Sequence, residues 1–335
     1  MTPLRSHLLA FGLAAVLLPQ AAGASSPSQP SPQALSGPEG FHHKGTIGLL
    51  HESLADSVTN TAEWLDAFFI SDRTEQEANK SHVLLRTDSL WREGDNFKQE
   101  IDGRVRLVLP GLEDRFQVVV SDIRETGLDE TPAGEIDRSL AEDEDEEAQD
   151  EPNLVLEYLA EITRRRDLRF EAGGTLDGFL PVLFGGARYR NLFFEEEPWL
   201  ARFIQRLRWY TNDGWEVGSR LELDRRLGER VLGRLQLDAD WYQIREGFFF
   251  QAGPVVFHQL SERRAMRYEA LASWQTRPSH RLENVRLGVR YRQRIWRKWL
   301  FFEVSPEVTF PREEDYDITP GIRLRFDIYF SERHT

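Results

Sequence analysis

The chain has 335 residues, 40% of them hydrophobic, and a mean hydropathy of −0.51, which is too polar for a bundle of membrane-spanning helices. Its formal net charge is −14, which argues against a nucleic-acid binder, because such proteins present a basic surface. The chain contains no cysteine, so disulfides, thiolate metal sites and cysteine nucleophiles are excluded.

The first 24 residues have the pattern of a secretory signal peptide. Arg5 supplies a positive charge, residues 8–18 form an apolar run, and residues 22–24 are small, as a cleavage site requires. We therefore expect the mature chain to begin at Ser25 and to act outside the cytoplasm. No cysteine follows the cleavage site, which excludes a lipoprotein anchor. Residues 25–44 are rich in serine and proline and are predicted to form a flexible tether.

Residues 45–72 carry the one good helical pattern in the chain. Apolar side chains such as Leu54, Val58, Leu65 and Phe68 recur at intervals of three and four, which predicts an amphipathic helix on the periplasmic side. Two interpretations follow. The helix packs on the rest of the protein, which is the interpretation we favour, or it caps or plugs something.

From residue 79 to residue 330 the pattern changes to a period of two, which is typical of β-strands with unlike faces. About fourteen segments alternate in this way. Twelve is the other possible number, because the alternation is blurred at residues 112–121 and 248–258. Both numbers are even, as expected for a single-chain bacterial barrel. The predicted strands begin near Ser81, Phe97, Asp114, Asn153, Leu168, Val182, Trp199, Trp215, Val231, Phe248, Met266, Leu282, Trp299 and Gly321.

The polar face of the last three predicted strands carries charges that change sign from one strand to the next, as cross-strand pairs should. These residues are the candidates for lining the lumen of a barrel: Arg286, Arg290, Arg292, Glu303, Glu307, Arg323 and Arg325. A soluble β-sandwich could show the same charges on its surface. The tryptophans decide between the two, because eight of the nine fall at or near predicted strand ends, where an outer-membrane barrel places its aromatic girdles. The sequence therefore predicts an all-β fold, a transmembrane antiparallel up-and-down β-barrel.

One insert interrupts the strands. Residues 122–152 contain fourteen Asp or Glu against Arg124 and Arg138, a net charge of −12. Such a dense run of like charge is predicted to be a solvated loop on the extracellular side. A Ca²⁺ site there is a minor alternative, since the segment lacks the ligand spacing of an EF-hand. The connections on the other side of the barrel, such as Pro110-Gly111, are short, which is the asymmetry expected of outer-membrane barrels.

The last predicted strand resembles the C-terminal β-signal of Gram-negative outer-membrane proteins. Thr319, Gly321, Leu324 and Phe326 match its polar, glycine and hydrophobic places, and Phe330 continues the hydrophobic face. Residues 331–335 depart from the pattern, because many members end on the aromatic residue. As a whole the chain resembles proteobacterial outer-membrane β-barrel proteins. The resemblance implies location in the outer membrane, contact with its lipid, and insertion by the barrel-assembly machinery with periplasmic chaperones, and it implies no known substrate.

The chain shows no constellation of residues typical of an enzyme, so we expect no catalytic residues, no metal and no cofactor. The pairs weighed for a lipid hydrolase are His258 with Ser261, and His82 with Ser81 or Ser89, none of which has an evident third partner. His42, His43 and His51 could hold a metal, but they lie at the boundary between tether and helix, where histidine is usually just solvated, so we expect no metal site there. The leading hypothesis is a monomeric, narrow channel for small polar or charged solutes. A closed structural or envelope-assembly barrel is the alternative, and a membrane-embedded lipid hydrolase is the third.

Overall fold

A computed structural model describes residues 61–62, 64–65, 68–69, 81–94, 97–109, 115–121, 153–163, 165–177, 180–196, 198–244, 247–277, 280–296 and 299–331. Within these ranges there are fourteen strands and one 3₁₀ turn, Arg312–Glu314, which lies between the last two strands. The strands are β1 His82–Arg92, β2 Lys98–Val108, β3 Phe116–Ser121, β4 Asn153–Ile162, β5 Arg166–Asp177, β6 Leu180–Glu196, β7 Trp199–Tyr210, β8 Gly214–Gly228, β9 Val231–Tyr242, β10 Phe248–Ser261, β11 Arg264–Gln275, β12 Arg281–Trp296, β13 Leu300–Pro311 and β14 Thr319–Ser331.

Each strand pairs antiparallel with its neighbours in the chain, and β14 pairs with β1, so the sheet closes into a barrel. The closing seam is regular: eleven residue pairs run without interruption from His82 opposite Ser331 to Arg92 opposite Gly321. The predicted all-β, up-and-down barrel is confirmed, with fourteen strands rather than twelve in the described part of the chain. Every described strand begins within two residues of its predicted start.

The two faces of the barrel wall are the reverse of those in a soluble β protein. Large apolar side chains point outward and remain exposed: Ile101 is 72% exposed, Leu154 56% and Leu235 55%. Charged side chains point inward and are buried: Arg106 and Arg292 are each 1% exposed. An apolar exterior has no stable place in water, whereas lipid covers it without cost.

Tryptophans mark the two rims of this apolar surface. Trp91, Trp209, Trp215 and Trp241 lie within two residues of strand ends at one rim, and Trp296 ends β12 at the other. Amphipathic rings at these levels match the headgroup regions of a bilayer. The chain therefore forms a transmembrane barrel of the outer-membrane type, which confirms the predicted location.

The connections at the two ends of the barrel differ in length. The residues between β7 and β8, 211–213, and those between β13 and β14, 312–318, lie at the same end as the long insert 122–152. At the other end, five of the six connections between the described strands have two or three residues, such as 229–230 between β8 and β9. Short turns belong to the periplasmic side, so this asymmetry orients the start of β1 and the end of β14 toward the periplasm.

Several sequence predictions fall outside the described residues. They are the signal peptide 1–24, the tether 25–44, the ends of the helix predicted for residues 45–72 and the acidic insert 122–152. Six residues of that helix are described, and all six are helical: Thr61, Ala62, Trp64, Leu65, Phe68 and Phe69. They belong to the same compact unit as the barrel, Gly45–Thr335. Among the described residues, no helix is long and apolar enough to cross a bilayer.

Candidate functional site in the barrel interior

All seven residues predicted to line the lumen lie on the inward faces of β12, β13 and β14. The register places Arg292 opposite Glu303, and Glu303 opposite Arg325, so that positive and negative residues alternate across three strands. Strand alternation alone brings these side chains to one face, because every second residue of a strand points the same way. Whether they line a solute path stays a prediction.

Asp327 on β14 is the centre of the ion pairs beside the seam. One of its carboxylate oxygens accepts a hydrogen bond from Arg86 Nε of β1 at 3.0 Å, and the other accepts one from Arg292 Nη2 of β12 at 2.6 Å. Arg292 also donates to Glu303 of β13 at 3.0 Å. Asp327 is 1% exposed, and its two arginine partners come from strands on either side, so it joins β12, β14 and β1 inside the barrel.

A second carboxylate at the seam, Asp88 of β1, holds two arginines of β14. Arg325 donates to it from Nη2 at 2.7 Å, and Arg323 Nε lies 3.5 Å from its other oxygen. Further along the wall, Arg286 lies 2.9 Å from Glu269 and 3.9 Å from Glu307. The seam wall is thus crossed by linked ion pairs from β11 to β1.

The wall opposite the seam carries a similar network on β7, β8 and β9. Arg234 forms a two-pronged pair with Asp224, at 2.7 and 2.9 Å, and its Nη1 lies 3.3 Å from Glu222. Arg202 donates to Glu222 at 3.0 Å, and Arg220 donates to Asp238 at 2.5 Å. Two-pronged contacts of this kind fix both partners in direction and distance.

The described ion pairs of the two walls differ in their balance of charge. On the opposite wall, the four arginines Arg202, Arg206, Arg220 and Arg234 meet the four carboxylates Glu216, Glu222, Asp224 and Asp238. On the seam wall, the described ion pairs join eight arginines to five carboxylates: Arg86, Arg92, Arg267, Arg286, Arg290, Arg292, Arg323 and Arg325 to Asp88, Glu269, Glu303, Glu307 and Asp327.

Apolar side chains cluster at the periplasmic end of the interior, beside charged ones such as Asp224 and Arg292. Eight inward residues from eight of the fourteen described strands belong to this cluster, and we call them the collar: Leu84, Leu192, Leu200, Leu232, Phe257, Ala265, Phe301 and Tyr329. The helical residues Ala62, Leu65, Phe68 and Phe69 pack against the collar in one buried cluster. We call the six described helical residues the plug segment: Thr61, Ala62, Trp64, Leu65, Phe68 and Phe69. Both interpretations of the N-terminal helix, packing on the barrel and capping or plugging it, are compatible with these contacts, and the choice between them stays a prediction.

The residues of the β-signal occupy the outer face of the closing strand. Leu324 is 39% exposed, Phe326 41% and Phe330 51%, so all three face lipid. Gly321 is buried on the inner face, where an added Cβ would lie 3.3 Å from the backbone oxygen of Trp91 and 3.5 Å from the Glu307 side chain. This close approach explains why the position suits glycine. The role of these residues in assembly stays a prediction.

The serine and histidine pairs weighed for hydrolase chemistry are engaged separately. Ser261 Oγ accepts a hydrogen bond from the backbone of Arg263 at 3.2 Å, and Ser81 Oγ accepts one from the backbone of Val108 at 3.1 Å. His82 points into the barrel, whereas Ser89 lies on the outward face of the same strand. No group of three or more potential metal ligands occurs in the described residues, and His42, His43 and His51 lie outside them.

Sequence reasoning missed the partners that the first strand contributes. Arg86, Asp88 and Asp327 hold the seam together, yet only the last strand was considered with its chain neighbours. The signal was present, because Arg86 and Asp88 alternate with Leu85 and Thr87 on β1. A closed barrel must pair its first strand with its last, which would have placed them opposite Asp327 and Arg325.

No family model and no curated protein matches the chain. Solved structures of similar architecture include a bacterial polysaccharide outer membrane secretin, with 11% identity, a TM-score of 0.46 and coverage of 75% of this chain and 99% of that one. The outer membrane channel DcaP of Acinetobacter baumannii has 8% identity, a TM-score of 0.40 and coverage of 75% and 96%. The CymD monoaromatic hydrocarbon channel has 8% identity, a TM-score of 0.43 and coverage of 80% and 93%. These values concern architecture alone and carry over no solute.

Proposed function

We propose that this protein is a narrow, weakly anion-selective outer-membrane channel for small polar or charged solutes. The observation that carries the proposal is the charged interior of a closed barrel, where the described ion pairs of the seam wall join eight arginines to five carboxylates. Fixed charge at a narrow point of a water path sets which ions pass, and an excess of guanidinium groups favours anions.

The charged residues of the interior support a water-filled channel more than a packed, closed interior. Replacing buried ion pairs by packed apolar residues is often neutral or stabilising, so a barrel that needs only a filled core gains nothing from so many charges. The collar demonstrates that this chain can build an apolar interior where one is used. Charged walls are therefore best explained by contact with water and with a solute.

A second candidate function, a closed barrel with a structural role, is favoured by the burial of the same charges. Glu303 and Asp327 are each 1% exposed, as is Asp238 on the opposite wall. In this conformation, the paired side chains leave those atoms almost no access to water. A membrane-embedded lipid hydrolase gains no comparable support, because Ser261 and Ser81 are engaged with backbone groups and Ser89 faces away from His82.

The reversal potential in a salt gradient separates the two candidates. We compare the refolded wild type with Arg290→Glu in planar bilayers, because Arg290 is on the seam wall with Nε 3.5 Å from Glu303. The expected result is a shift of selectivity toward cations, since the substitution changes the local charge by two units. Arg290→Lys keeps the charge and is the matched control.

Two outcomes contradict the proposal in different ways. Selectivity that is unchanged in Arg290→Glu would place this wall away from any path. A lack of conductance in wild type and variants alike, with the barrels folded, would favour the closed structural barrel.

A further inference from the structure

We propose that the plug segment is a gate that closes the periplasmic mouth of the barrel by packing into the collar. This inference rests on the proposed channel function and adds its regulation. The observations that carry it are the contacts of four described apolar helix residues with the cluster of inward apolar side chains at the periplasmic end of the barrel.

The plug segment is held by aromatic contacts of good geometry. Phe68 meets Phe301 of β13 edge to face, with ring centroids 5.9 Å apart, and Phe69 meets Phe257 of β10 at 5.7 Å. Leu65 is fully buried between these contacts and the collar. Such pairs add to the burial of apolar area, so the seated position is favoured over a helix in water.

The apolar collar is stable next to water only when another apolar surface covers it. Without the plug segment, the leucine and aromatic side chains of the collar would face the water of the periplasmic mouth. The apolar face of the plug segment would be equally exposed. Each surface therefore covers the other, and a closed mouth is the state of lower free energy.

Two aromatic rings of the collar also contact arginines of the charged walls. The guanidinium of Arg292 lies 4.9 Å from the Phe301 ring, and that of Arg234 lies 5.1 Å from the Phe257 ring. Phe68 and Phe69 thus touch the same two rings on which arginines of the seam wall and of the opposite wall rest. Departure of the plug segment exposes these two rings to water and removes a packing partner of the rings that support both arginines, which couples opening of the mouth to the charged walls.

The first test places charge on the seated face of the helix. In the full-length mature chain, Leu65→Glu with Phe69→Glu would bury two carboxylates in the collar, whereas glutamate retains high helix propensity. We expect the open fraction in planar bilayers to rise at least about tenfold over wild type. Leu65→Met with Phe69→Met keeps both residues apolar and is expected to behave like wild type.

The second test locks the gate. Because the chain has no cysteine, Phe68→Cys with Phe301→Cys supplies a single pair of thiols, which a short bifunctional thiosulfonate can bridge across the seat. We expect low conductance while the bridge is intact and a rise when a reductant cleaves it. Each single-cysteine variant, treated in the same way, is the control for the reagent.

The outcomes separate failure of the gate from failure of the channel. Equal conductance in wild type, the glutamate variant and the bridged and reduced pair would overturn the gate and leave the channel standing. No conductance in any of them, with heat-modifiable and hence folded barrels, would overturn both. A rise in the glutamate variant that is absent from the methionine control, together with a rise on reduction, supports the gate.

Discussion

At the scale of single residues, Asp327 connects more of the interior than its neighbours do. It accepts hydrogen bonds from Arg86 and Arg292, which belong to strands on opposite sides of its own. Both arginines are 4% exposed or less, so removing the carboxylate leaves positive charge buried without its partner. The loss of one member of a buried pair is far more costly than the pair itself is stabilising.

We therefore expect Asp327→Ala to lower the free energy of unfolding by about 3–5 kcal/mol. The measurement is urea-induced unfolding of the refolded barrel in lipid vesicles, followed by tryptophan fluorescence. Glu229→Ala changes an exposed carboxylate in a periplasmic turn and is expected to stay within about 0.5 kcal/mol of wild type. An Asp327→Ala barrel as stable as this control would contradict the central role of Asp327.

Residue patterns predicted which charges face inward, but not their partners. The alternation of Arg286, Arg290 and Arg292 with apolar residues is local and can be read directly from the sequence. Pairing across the seam is not local, because Arg86 and Asp327 are 241 positions apart. It follows from closure and register, which depend on every strand between them.

At the scale of elements, the closing strand combines an outer face in lipid with an inner face of ion pairs. Phe326 is 41% exposed to the outside, and its ring centroid lies 5.1 Å from that of Phe302 of β13, with the two rings tilted. Because the neighbouring inward positions are Arg325 and Asp327, any charge added to the outer face has no partner within reach of the strand.

We expect Phe326→Asp to reduce the amount of assembled barrel in the outer membrane sharply, because a carboxylate facing hydrocarbon costs about 2 kcal/mol near the midplane. The measurement is the folded fraction on cold SDS gels of outer-membrane preparations. Phe326→Leu remains apolar and serves as the matched control. Assembly of Phe326→Asp at the level of this control would mean that the outer face of β14 is neither recognised during assembly nor exposed to lipid.

Two strands show why the sequence left the number of strands open. In β10, the inward positions Val255 and Phe257 are apolar because they lie in the cluster that holds the plug segment. Pro254 and Gly253 precede them, and together these residues erase the contrast between the faces. In β3, buried Val119 lies between Val118 and Val120, with the same effect. In β10, packing against the plug segment thus removes the alternation of polar and apolar residues on which strand prediction depends.

At the scale of the whole molecule, the apolar exterior and its aromatic rims place the barrel in a bilayer. We expect the mature protein to fractionate with the outer membrane and to migrate differently on SDS gels before and after boiling, because a closed barrel resists unfolding by cold detergent. Recovery of the protein from the soluble periplasmic fraction would contradict the location.

The ion pairs at the seam give the two terminal strands complementary edges. Arg86 and Asp88 on β1 match Asp327 and Arg325 on β14 in order and in register. Until these strands meet, each edge holds charges whose partners are on the far end of the chain, so a nearly complete but open barrel is disfavoured. The ion pairs therefore favour closure in one register. A shift of one residue between β1 and β14 would turn the inward charges toward the lipid, whereas the native register pairs the charges of both edges.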